Sequence, residues 1–117
     1  MNVVIIIPAR YGSSRYEGKP LIMINKIPLI IRVVKKCVLA LDRDNVYVAT
    51  DDKRIADLVK GYGYKFIMTS KNNLTGTDRV AEASTKIKAD IFINVQGDEP
   101  LIKPSDIIKV INYKKKE

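Results

Sequence analysis

Apolar and polar positions follow one another in blocks along this chain. Val3-Val4-Ile5-Ile6-Ile7 is an unbroken β-branched run ended by Pro8, the pattern of a strand buried on both faces. Over 30–41 the apolar residues fall at 30, 33, 34, 37, 38 and 41, one stripe of a helix. A second strand is predicted over 46–50. The helix predicted over 52–62 places Ile55, Leu58, Val59 and Tyr62 on one face and stops at Gly61 and Gly63. A third strand covers 64–68, followed by a polar loop over 69–73. The next helix, 78–88, carries Val80, Ala81, Ala83 and Ile87, with Thr77 or Asp78 as its N-cap. Residues 91–95 read as a fourth strand, and after the loop 96–104 Ser105 caps a last helix with Ile107, Ile108 and Ile111 inside.

Strands rich in Ile and Val that alternate with amphipathic helices define an α/β fold. The expectation is a Rossmann-like, mostly parallel sheet with helices on both faces. A length of 117 residues suits one domain. Residues 1–113 form that domain, and 114–117, with three consecutive lysines, form a basic tail.

Composition narrows the chemistry. Apolar residues make up 46% and charged residues 29%, an ordinary globular mixture. No apolar run approaches the ~20 residues a membrane span needs. The N-terminus carries no basic leader, so the expected setting is the cytoplasm, with no membrane partner. The single cysteine, Cys37, excludes an internal disulfide and sits on a helical core stripe. Histidine is absent, which excludes histidine-based nucleophile systems and histidine-ligated zinc; a metal here would be a hard, oxygen-ligated ion such as Mg²⁺.

The net charge of +8 favours an anionic partner. Six Tyr, two Phe and no Trp are not interleaved with the cations as stacking platforms, so nucleic acid is the weaker reading.

Open α/β sheets bind ligands beyond the carboxyl ends of their strands, and three loops there concentrate special residues. The first, 8–20, packs Arg10, Arg15 and Lys19 with Gly12, Gly18, Ser13 and Ser14, a set able to wrap a polyphosphate. It is not a Walker A loop, since Gly12 and Gly18 enclose five residues and Pro20 stands where a Ser or Thr would hold Mg²⁺. A solvated basic turn is the plain alternative. The second loop, Leu74-Thr75-Gly76-Thr77-Asp78-Arg79, leads into a helix N-terminus, a natural anion or base-edge site; helix capping alone accounts for two of its residues. The third, Asn94-Val95-Gln96-Gly97-Asp98-Glu99-Pro100-Leu101, offers carboxylates suited to Mg²⁺ held jointly with substrate phosphates, and an acidic turn is its plain reading. A basic and an acidic loop at one sheet edge together resemble a nucleotide–Mg²⁺ site.

These residues carry a family resemblance. Ile7-Pro8-Ala9-Arg10-Tyr11-Gly12-Ser13-Ser14-Arg15 and Gly18-Lys19-Pro20-Leu21 resemble the N-terminal motif of the 3-deoxy-manno-octulosonate (Kdo) cytidylyltransferases, the CMP-Kdo synthetases. Val48-Ala49-Thr50-Asp51-Asp52, Gly76-Thr77-Asp78-Arg79 and the loop from Asn94 to Leu101 are similar to later motifs of that family, in order. The resemblance implies a nucleotide-diphospho-sugar transferase type of fold. It implies transfer of CMP from CTP to the anomeric hydroxyl of Kdo, with release of pyrophosphate and with Mg²⁺ as cofactor. Arg10, Lys19 and Asp98 would be catalytic, with Asp98 the metal ligand. Pro8, Ala9, Arg10, Gly12, Ser13, Lys19, Gly76, Thr77, Asp78, Arg79 and Gln96 would surround the nucleotide.

Two local departures are Tyr16-Glu17, where many members have Leu-Pro, and Asn73-Leu74-Thr75, where a His-x-Ser is more usual. Family members are also considerably longer. The resemblance therefore implies the N-terminal half of a homodimeric enzyme, truncated before the second metal-binding aspartate and most of the sugar-acid site. A different 2-keto sugar acid, an amino-substituted relative of Kdo included, or a non-catalytic CTP-binding fragment are the alternatives.

Overall fold

The computed structural model describes residues 2–12 and 18–116. In chain order its regular elements are β1 (Val3–Pro8), a hairpin of β2 (Met23–Ile24) and β3 (Ile27–Pro28), α1 (Leu29–Ala40), β4 (Val46–Thr50), α2 (Lys53–Gly61), β5 (Lys65–Met68), α3 (Gly76–Ser84), β6 (Ile91–Asn94) and α4 (Pro104–Lys115). Short 3₁₀ turns at Lys19–Leu21 and Arg43–Asn45 join them.

Four strands form one sheet in the order β5-β4-β1-β6, and every pair is parallel. The chain steps outward from β1 to β4 and β5, then returns to the other side of β1 as β6. Ile5 of β1 lies opposite Val46 on one side and Ile93 on the other. Strand order therefore reverses between β1 and β6, and a crevice opens beyond their carboxyl ends.

The strand pleat sorts the core into two layers. Val3, Ile5 and Ile7 point toward α1, α2 and α4 and pack with Ile30, Val34, Cys37, Ile55, Val59, Ile107 and Ile111. Val4 and Ile6 point the other way, toward Ala49 and Ala83, with Val80, Ile87 and Phe92 closing that side. Helices therefore cover both faces of an all-parallel sheet, the layered α/β architecture expected from the sequence. Among the described residues no helix is long and apolar enough to cross a membrane.

Several boundaries differ from the sequence pattern. Helix α3 begins at Gly76, because Thr75 rather than Thr77 or Asp78 is the cap: its hydroxyl oxygen accepts the Asp78 N–H at 3.0 Å. It ends at Ser84, short of 88. The hydroxyls of Ser84 and Thr85 donate to the carbonyls of Ala81 and Glu82, a local alternative to further helix. Helix α4 starts at Pro104 after Lys103 rather than from a Ser105 cap, since proline at the first helical position has the required φ and needs no N–H partner. Lys114 and Lys115, assigned to a tail from sequence, form its last turn, where cations suit the helix dipole.

The β2–β3 hairpin is a new element. Asn25 and Lys26 turn it with φ of 49° and 69°, both in the left-handed region. Arg32 of α1 straps it down, donating from Nε to the Ile24 carbonyl at 2.8 Å.

Candidate functional site

The crevice at the strand-order reversal holds a cleft of about 160 Å³. Its floor is Pro8 at the end of β1 with Ala9 and Arg10 after it; one wall is Lys19 and Pro20, another the start of α3, and the far rim the loop after β6. The close fit of these segments has a local cause. A Cβ on Gly97 would stand 2.6 Å from the Pro8 carbonyl oxygen, and one on Gly76 would stand 3.3 Å from Pro8 Cγ. Glycine at both positions lets two chain segments close against Pro8.

Of the residues singled out from sequence, Pro8, Ala9, Arg10, Lys19, Gly76, Arg79, Gln96 and Asp98 line this cleft together. Thr77 and Asp78 lie on the exposed first turn of α3, and Gly12 is exposed beside the cleft without lining it. Ser13 falls outside the described residues. Pro20, Leu29 and Gly97 also line the cleft without having been assigned to it from sequence. Leu29 follows the hairpin, which the hydrophobic pattern does not reveal.

The cations are held in different ways. Arg10 donates from Nη1 to the Leu74 carbonyl at 3.3 Å, bridging the first loop to the second. Lys19 Nζ lies 3.4 Å from Asp98 Oδ2, an ion pair across the cleft with both side chains about half exposed. Arg79 is only 1% exposed. Its guanidinium donates to Thr69 Oγ1 and reaches Asp51 Oδ2 at 3.3 Å, so it ties the end of β4 to the segment after β5. Asp51, part of the motif that follows the second predicted strand, thus has a partner inside the protein.

The loop before α3 is clamped from below by Glu82. Its carboxylate accepts the Ser70 N–H at 2.9 Å and the Asn73 amide at 2.9 Å, and Lys86 Nζ lies 3.1 Å away. These bonds, the Ser70 N–H first, draw the Glu82 carboxyl down to about 2. Cys37 is deep in the core, and burial pushes its thiol up to about 12, as an inert residue requires.

Among the described residues no three acidic or cysteine side chains cluster into a closed metal cage. Asp98 instead presents one partly exposed carboxylate at the cleft, with the Lys19 ammonium standing against it as a cation. That donor set fits a Mg²⁺ ion whose other ligands are phosphate oxygens and water. It does not fit a softer metal, because neither thiolate nor imidazole is near.

Fold and site together define a parallel α/β protein with a ligand cleft at the reversal of strand order, lined by cations on one side and a carboxylate on the other. The family model for cytidylyltransferases matches residues 4–117, and the chain belongs to that family. It is 51% identical over 115 residues to an 8-amino-3,8-dideoxy-manno-octulosonate cytidylyltransferase of Shewanella sp. (strain W3-18-1), a match that covers 96% of this chain and 47% of the relative. The protein of that description from Shewanella oneidensis is 50% identical over the same extent. The chain thus spans about half the length of the curated relatives it matches.

Among solved structures, a CMP:2-keto-3-deoxy-manno-octonic acid synthetase complexed with CTP superposes with a TM-score of 0.95 at 44% identity, over 100% of this chain and 48% of that one. A cytidylyltransferase from Leptospira borgpetersenii gives 0.82 at 26% identity, over 97% and 48%.

Proposed function

We propose that this chain forms the CTP-binding part of a cytidylyltransferase that transfers CMP to the anomeric hydroxyl of Kdo, a 2-keto-3-deoxy sugar acid, for lipopolysaccharide or cell-wall sugar synthesis in the cytoplasm. The observation that carries this reading is the meeting of Arg10, Lys19 and Asp98 in one cleft at the carboxyl ends of β1 and β6. The CTP complex of the structural relative and the names of the sequence relatives support the choice of nucleotide and sugar class.

In this reading Arg10 and Lys19 bind the triphosphate and offset the negative charge that grows as the bond to the leaving group stretches. The backbone of Pro8 and Ala9 and the segment from Gly76 through Thr77 and Asp78 to Arg79 enclose the cytidine. Gln96 lies toward the ribose or the incoming sugar, and Gly12 and Ser13 contribute to the phosphate loop. The sugar's anomeric oxygen attacks the α-phosphorus, the bond from that phosphorus to the bridging oxygen breaks, and pyrophosphate leaves with its electron pair. The hydroxyl proton passes to solvent. Asp98 would hold Mg²⁺, which supplies charge neutralisation on the phosphates and a lowered pKa for the attacking hydroxyl. The side chains' part is positioning and electrostatics, consistent with a chain that contains no histidine.

A second reading changes only the sugar, to 8-amino-3,8-dideoxy-manno-octulosonate, and is favoured by the names of the 51% and 50% identical relatives. Pyrophosphate release from CTP and Mg²⁺, followed with each sugar acid, tests both. Faster release with Kdo supports the first reading and faster release with the 8-amino sugar supports the second. CTP binding without release from either leaves a CTP-binding module that does not turn over.

A further inference from the structure

Tyr11, Arg54 and Asp52 lie outside the cleft, yet they are joined into one unit at its side. Asp52 caps α2, accepting the Arg54 backbone N–H at 2.8 Å. The same carboxylate takes two bonds from the Arg54 side chain, Nε to Oδ1 at 3.0 Å and Nη2 to Oδ2 at 2.7 Å. This fork fixes the guanidinium plane. The plane lies over the Tyr11 ring, with Cζ only 3.4 Å from the ring centroid. Gly18 meets the edge of the ring: a Cβ there would stand 2.9 Å from Tyr11 Cε2, and the Gly18 backbone has φ of 71°. The Gly18 N–H donates to the Tyr11 carbonyl at 2.7 Å.

Tyr11 directly follows Arg10, and Gly18 directly precedes Lys19. Two of the cleft's cations, Arg10 and Lys19, are therefore carried on chain stems that the Tyr11 ring and the Gly18 hydrogen bond hold side by side. The stack adds an anchor from a different layer of the fold, the amino end of α2.

We propose that the Asp52–Arg54–Tyr11 stack is a positioning device that sets Arg10 and Lys19 at the spacing needed for a nucleoside triphosphate. This deepens the nucleotide reading above and rests on it. Arg54 and Asp52 do not touch the ligand in this account; they act through Tyr11. The ring carries the device: its face receives the guanidinium and its edge meets Gly18, and the phenol hydroxyl, within reach of Arg54, adds only a secondary contact.

Two readouts on the full chain test it: hydrogen exchange at the Gly18 amide by NMR, and calorimetric titration with CTP and Mg²⁺. Removing the cation from the ring in Arg54→Ala should speed Gly18 exchange about fivefold and weaken CTP by a similar factor. Tyr11→Leu should do at least as much, while Tyr11→Phe should leave both near the wild-type values. Thermal melting should barely move in Arg54→Ala, because that side chain is 58% exposed.

Unchanged Gly18 exchange in a folded Arg54→Ala protein would overturn the proposal. So would a Tyr11→Phe protein as impaired as Tyr11→Leu, or faster Gly18 exchange with undiminished CTP affinity. If the wild-type chain binds no CTP while Gly18 exchange responds as expected, the nucleotide reading falls and the stack remains as the device that holds the two stems together.

Discussion

At Gly97 a Cβ would stand 2.6 Å from the Pro8 carbonyl oxygen and 3.3 Å from Ile30 Cδ1, so the loop after β6 passes β1 only without a side chain. Gly97→Ala should force these segments apart, cost about 1–3 kcal/mol of stability as overpacking does, and weaken nucleotide binding as well. Urea unfolding and a titration on the same sample check both. Arg79 answers to a different force. Its guanidinium is buried against Asp51 and Thr69, and removing it leaves a largely enclosed carboxylate without its cation. Arg79→Ala should cost about 3 kcal/mol in urea unfolding, the range for breaking a buried pair from one side. The sequence marks Arg79 as special by its place after Gly-Thr-Asp, but not why. Its partners stand 28 and 10 positions away, and only the folded sheet edge brings them together.

At the scale of elements, the four main strands and four helices are legible because each is a hydrophobic run or stripe long enough to carry its period. The β2–β3 hairpin is not legible. Its strands have two residues each, and an Asn-Lys turn lacks the glycine that usually betrays a left-handed hairpin. The start of α3 is misplaced by two residues for a similar reason: Thr75, Thr77 and Asp78 are all acceptable caps, and backbone conformation decides among them. The same region carries a pH dependence. Glu82 has a folded-state value of about 2, below its ordinary 4.5, so its bonds stabilise the loop ahead of α3 above about pH 4.5. That contribution is lost as the pH falls from there toward 2. The protection factor of the Ser70 amide, followed from pH 6 to pH 3, should fall more steeply than that of a core amide. Glu82→Gln should remove the difference.

For the whole molecule, the sheet order places the chemistry. A chain that goes from β1 out to β4 and β5 and back to β6 opens one crevice, and both the basic loop after β1 and the acidic loop after β6 lead into it. From sequence the two loops could be assigned to strand ends, but their adjacency depends on β6 pairing with β1, which no local pattern encodes. Nor does the sequence reveal that α2 braces the first loop, since Tyr11 and Arg54 lie far apart along the chain.

Arg10, Lys19 and Asp98 are proposed above to form a Mg²⁺-assisted CTP site. Its most direct test is calorimetric titration of the chain with CTP, with and without Mg²⁺ and against ATP, repeated for Lys19→Ala and Asp98→Ala. Selective CTP binding strengthened by Mg²⁺ is the expected result. Loss of a charge-assisted contact in Lys19→Ala should weaken it about tenfold, and Asp98→Ala should remove most of the Mg²⁺ effect while sparing more of the nucleotide affinity. A folded chain that binds CTP and ATP alike, or whose titration neither substitution changes, would contradict it.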